Sequence, residues 1–144
     1  MIRHLTPLLA AMLSLASLLT TSMSSADELP GIVFHVDSDL HRNRVLRQIE
    51  RHHRGNPGVP SRVILIAEGV RPAVSGAEDA NGGRYSAQIE QLLAKSIRIF
   101  ACENTLTSFG LTADDLEFGI ESVPSGIAEL GRLQATAGWG YIKL

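Results

Sequence analysis

Short, almost continuous apolar runs alternate along this chain with segments whose apolar residues recur at helical spacing, and few folds accept that alternation. The runs are Gly31-Ile32-Val33-Phe34-His35-Val36-Asp37, then Val63–Ala67, then Ile97–Cys102. A strand that is apolar at successive positions is covered on both faces, the mark of a parallel sheet. Val45, Leu46 and Ile49 predict a helix from Leu40 to about Arg54, broken by Gly55-Asn56-Pro57-Gly58. Ile89, Leu92 and Leu93 predict another from about Tyr85 to Lys95. A short helix is expected from about Asn104 to Phe109, ended by Gly110, and Thr112 with Asp115 reads as a one-turn helix start. Ile120–Val123 reads as a short fourth strand. Pro124-Ser125 opens a last helix with Ile127, Leu130, Leu133 and Ala137 on one face, and Trp139–Ile142 reads as a final strand. Gly69 to Arg84 carries four glycines and Pro72; it is expected to be a loop with at most a short helix near Ala73, mobile around Gly76–Gly83. Together these elements predict an α/β fold: a doubly wound, mainly parallel sheet of about five strands with helices on both faces.

The length of 144 residues allows one domain. With 13 basic and 15 acidic side chains the formal charge is −2, and aromatics make up 5%. That balance offers neither the basic patch nor the stacking platform that nucleic acid requires. The N-terminus differs from the rest. Arg3 and His4 precede a charge-free stretch from Leu5 to Ala26 with an apolar centre at Leu8–Leu19, and Ser24-Ser25-Ala26 puts small residues before Asp27. This is the layout of a secretory signal peptide. The apolar centre is short against the roughly 20 residues of a membrane span. The expectation is therefore a leader at residues 1–26 and a single domain at 27–144, periplasmic or secreted, with no membrane attachment after cleavage.

A single cysteine cannot make an intrachain disulfide, so Cys102 is a buried thiol, an intermolecular bridge or a reactive group. It closes the third predicted strand and precedes a helix. Sites in open α/β sheets form at such strand ends, and helix amides there favour a thiolate. Glu103 beside it is expected to oppose that shift. Cysteine is also among the most buried residue types and behaves as a small apolar group, so Cys102 reads as a core residue as well. Asn104 and Thr105 carry side chains that can donate hydrogen bonds to a group bound beside the thiol. His35, on a first strand expected to lie beside the third, is the candidate to assist the thiol. His52 and His53 are adjacent and point apart on a helix, and no spacing resembles a metal site, so neither metal nor cofactor is expected. Arg44, Arg47, Arg51 and Arg54 form one helix face, read as a solvated face that could also meet an acidic partner surface.

Several segments together resemble one family. They are Val33-Phe34-His35-Val36-Asp37, Phe100-Ala101-Cys102-Glu103-Asn104-Thr105-Leu106, Val123-Pro124-Ser125-Gly126-Ile127-Ala128-Glu129-Leu130, and Arg132-Leu133-Gln134 with Gly138-Trp139-Gly140-Tyr141-Ile142-Lys143. They resemble the DsrE/DsrF-like proteins of sulfur metabolism, in an exported branch, over nearly all of 31–144. The resemblance implies a doubly wound α/β unit that assembles as homotrimers or hexamers. It also implies sulfur trafficking, with cysteine as persulfide carrier and a donor or acceptor that is a protein or a small sulfur anion. Cys102, Asn104 and Thr105 match the branch. Ala67-Glu68-Gly69 stands where the branch often has Ala-His-Gly, which removes a histidine from the strand-end cleft, and Val70–Arg84 departs from the usual helix. Two functions remain open: a sulfurtransferase or sulfur carrier using Cys102, and a non-catalytic oligomeric binding module with Cys102 in its core.

Overall fold

A computed structural model describes residues 30–38, 42–136 and 138–144. The expected leader, the helix start at Leu40 and Ala137 lie outside the described residues. The apolar runs become the strands β1 (Ile32–Val36), β2 (Ser61–Leu65) and β3 (Arg98–Cys102), joined later by β4 (Glu121–Val123) and β5 (Gly140–Lys143). The helices are α1 (Arg42–Gly55), α2 (Ser86–Leu93), α3 (Glu103–Ser108) and α4 (Gly126–Thr136). All pairings are parallel, and the strand order is β4-β3-β2-β1-β5. Both the doubly wound α/β class and the five strands agree with the sequence expectation.

Right-handed crossovers explain the layers. From β1 to β4 each strand adds on the same side of its predecessor, so α1, α2 and α3 share one face. Val45, Leu46, Ile49, Ile89, Leu92 and Leu106 pack there against Phe34, Val36, Val63, Leu65, Ile99 and Ala101. From β4 the chain crosses back beyond β1 to reach β5, which sends α4 to the opposite face. Leu130 and Leu133 of α4 pack there on Val33, Ile64 and Phe100, together with Trp139. Arg62 lies under α4 and is only 7% exposed. It donates to Glu129 Oε1 at 3.0 Å, and its guanidinium sits 5.0 Å from the Trp139 ring and 5.5 Å from the Phe100 ring. This ion pair fastens α4 to the sheet.

One local expectation is corrected: β2 separates β1 from β3, so the first and third strands are not neighbours. Gly69–Arg84 is a loop with a short helix at its start, as expected: Ala67–Ala73 is a 3-10 turn with Pro72 inside it, and Glu78 bridges Arg84. Asp79 accepts from the amides of Asn81 and Gly83 and from Asn43 Nδ2, which ties the Gly76–Gly83 segment to α1. Thr112 and Asp115 form the expected capping box. Arg44, Arg47, Arg51 and Arg54 are exposed along α1, as a solvated face requires.

Candidate functional site

α3 and α4 follow neighbouring strands but leave toward opposite faces of the sheet, and such divergence opens a crevice at the strand ends. Cys102 is the last residue of β3 and lies at the base of that crevice, 4% exposed. The cleft has a volume of about 420 Å³. Its lining includes Ile66, Glu68, Asn104, Thr105, Ser125 and Ile127.

Burial pushes the Cys102 thiol up, but hydrogen bonds outweigh it and hold the pKa below the ordinary thiol value. The donors are the Gly126 amide, the amide and hydroxyl of Thr105, and the Asn104 amide. Each aims a partial positive charge at sulfur, which stabilises the anion over the neutral thiol. Glu103 does not act as the sequence suggested. Its carboxylate turns toward β4, accepts the Ser122 hydroxyl at 2.7 Å, and is not among the groups that shift the thiol.

Thr105 links two parts of the site. The Ala67 amide donates to Thr105 Oγ1 at 3.1 Å, and the Thr105 hydroxyl donates to Cys102. Ala67 is a non-glycine residue at φ +49°, a left-handed conformation that costs on the order of 1 kcal/mol or more. Thr105 therefore restrains a strained turn on one side and the thiolate on the other. Replacing Thr105 with Val keeps the shape and removes both bonds. The thiol pKa should rise by about one, and stability should fall by about 1 kcal/mol because the Ala67 amide loses its acceptor. Alkylation rates followed against pH, beside a urea titration, read both quantities. Thr105→Ser should restore both, and a Val variant with an unchanged thiol pKa would remove Thr105 from the site.

The structure brings Cys102, Asn104 and Thr105 together, while His35 stands apart. His35 faces the α4 side of the sheet like Cys102, but β1 is two strands from β3, about 10 Å by ordinary strand spacing. His35 Nδ1 shares a 2.7 Å hydrogen bond with the Tyr141 hydroxyl, beside the Asp37–Lys143 ion pair at 2.7 Å. Burial lowers its pKa, Lys143 lowers it further and Asp37 opposes. It belongs to the β1–β5 edge and does not line the cleft. Two contributors carry no sequence signal. Gly126 is one small residue after the Pro124-Ser125 helix opening. Ala67 ends an apolar run, and nothing in an alanine's surroundings in sequence marks a positive φ.

The DsrE/DsrF-like family profile matches residues 43–144. Among solved structures, MTH1491 from Methanobacterium thermoautotrophicum is 30% identical with a TM-score of 0.66, covering 80% of this chain and 99% of its own. The ychN protein of E. coli is 15% identical with a TM-score of 0.65, covering 79% of this chain and 99% of its own. BT1422 from Bacteroides thetaiotaomicron is 19% identical with a TM-score of 0.56, covering 78% and 93%. The last two share the fold. No curated protein matches the chain. Because the profile spans most of the chain and MTH1491 aligns over nearly its whole length, the chain belongs to the DsrE/DsrF-like family, which is linked to sulfur metabolism.

Proposed function

We propose that this protein is an exported sulfur carrier that holds sulfur as a persulfide on Cys102 and works as a homotrimer or hexamer. One observation carries the reading: the Cys102 thiol lines an open cleft at the end of β3, where α3 begins and α4 enters, and the amides and hydroxyl gathered there favour its anion. The Cys102 thiolate attacks the terminal sulfur of a donor persulfide. The new S–S bond forms on Cys102, the donor's S–S bond breaks, and the donor leaves as a thiolate. With thiosulfate the outer sulfur is transferred in the same way and sulfite leaves. The same amides that favour the thiolate also favour the anionic persulfide, whose terminal sulfur a protein or small-molecule acceptor then removes. Export is supported by the leader pattern before Asp27. Self-association rests on the chain's place in the DsrE/DsrF-like family, whose members assemble from one α/β unit.

A second reading is favoured by the 4% exposure of Cys102, which also suits a packed core residue in a binding module. Sulfur loading separates the two. Incubation with thiosulfate or polysulfide should add one sulfur by intact mass, and Cys102→Ser should add none. If the native chain takes up no sulfur and resists alkylation until it unfolds, the carrier reading fails.

A further inference from the structure

Three of the four hydrogen bonds to Cys102 come from residues 104 and 105, next to it in the chain, so local geometry delivers them. The fourth comes from Gly126, the first residue of α4, which enters from the other face of the sheet and whose neighbours Ser125 and Ile127 line the same cleft as Cys102. Only the seating of α4 on β2 decides whether that amide reaches sulfur. At Gly126 that seating is tighter than any side chain permits. A Cβ at 126 would stand 2.7 Å from Ile66 Cγ1, 2.8 Å from Ile66 Cδ1 and 3.1 Å from Ile64 Cγ2. Ile66 is β-branched and stiff at χ1, and Ile64 is fully buried. A side chain would therefore lift the first turn of α4 or turn Ile66 within the cleft that it lines. Gly131, in the same helix, meets nothing within 4 Å. The Arg62–Glu129 pair presses this part of α4 onto the sheet. What position 126 requires is small size.

We infer that Gly126 is a positioning residue: its missing side chain lets α4 seat its first amide on the Cys102 sulfur and hold it as a nucleophilic thiolate. The inference rests on the reading of Cys102 as the reactive thiol. It adds that the reactivity depends on the contact between α4 and β2 as well as on α3.

The experiment is the pH profile of iodoacetamide alkylation of the full chain, with folding of each variant checked by circular dichroism. Gly126→Ala should raise the apparent thiol pKa by about one, slowing alkylation roughly tenfold at pH values below both pKa values. Gly131→Ala, an equal change in the same helix, should leave the profile unmoved. Ile66→Ala removes the atoms that collide with a Cβ at 126. In that background, Gly126→Ala should shift the pKa by less than a third of its effect in the parent, a coupling that general damage to the helix would not produce. An unmoved pKa in folded Gly126→Ala, or an equal shift in both backgrounds, overturns the inference and leaves the carrier reading standing. If Gly126→Ala alone does not fold, the double variant decides. It must fold and keep the pKa of Ile66→Ala, and failure on either count overturns the inference. A native chain that is not alkylated at all overturns the carrier reading, and this inference with it.

Discussion

Gly69→Ala is expected to destabilise the chain by about 3 kcal/mol or more, the upper end of overpacking costs. A Cβ at residue 69 would meet the Val36 carbonyl oxygen at 2.2 Å and its carbon at 2.7 Å. Those atoms are backbone and cannot rotate away. The Val36 oxygen also accepts the Ile66 amide at 2.8 Å, where the β1–β2 ladder ends. Relief thus requires the 3-10 turn Ala67–Ala73 to move as a body. That turn carries Ala67, bonded to Thr105, and Glu68, which faces the cleft and pairs with Arg71. Urea unfolding of Gly69→Ala beside Gly131→Ala measures the effect. The second substitution has open space and should be neutral or stabilising by about 0.5–1 kcal/mol. A midpoint for Gly69→Ala close to that of the parent would overturn the expectation.

Glu129→Ala should cost about 2–3 kcal/mol, somewhat below the range for fully buried pairs because the carboxylate keeps some solvent contact. It removes the carboxylate that Arg62 meets at 3.0 Å beneath α4, where the Arg62 side chain is 9% exposed. A buried guanidinium that loses its acceptor keeps most of its desolvation cost. Arg132 lies on the same carboxylate at 2.7 Å, but its own side chain is 43% exposed and hydrates readily. The Arg132 hydrogen bond is the main reason that Glu129 titrates below the ordinary carboxylate value; burial opposes it and Arg62 adds to the lowering. A carboxyl with a depressed folded-state pKa contributes stability above its unfolded pKa and loses it as pH falls through the folded pKa. The parent should therefore lose stability as pH drops below about 4.5. Glu129→Gln should be less stable at neutral pH and should show less of that acid loss. Equal acid slopes in parent and Gln variant would count against the pair. Because Glu129 holds α4 near Gly126, the Ala variant should also raise the Cys102 pKa.

The sequence alone determined the kinds of element and their order, because their signals are local. Apolar runs such as Val33–Val36 and the spacing of Val45, Leu46 and Ile49 need no knowledge of distant residues. The position of Cys102 between a strand and a helix is equally local, as are its neighbours Asn104 and Thr105. The loop from Gly69 is legible from its glycines, but their causes are not: Gly69 is demanded by Val36, whereas Gly76 and Gly82 sit at positive φ in turns. Strand order was not legible. Whether β5 returns beside β1, and whether β2 lies between β1 and β3, depends on which crossovers pack well together. Sequence therefore points His35 at the thiol, whereas its partner is Tyr141, 106 residues away. The tertiary structure alone decided that α4 comes down on the face opposite α3, that Arg62 and Glu129 fasten it there, and that Gly126 reaches Cys102. The physical reason is distance: residue 126 must be glycine because of Ile64 and Ile66, some sixty positions earlier, and no local pattern records a collision that occurs only after folding.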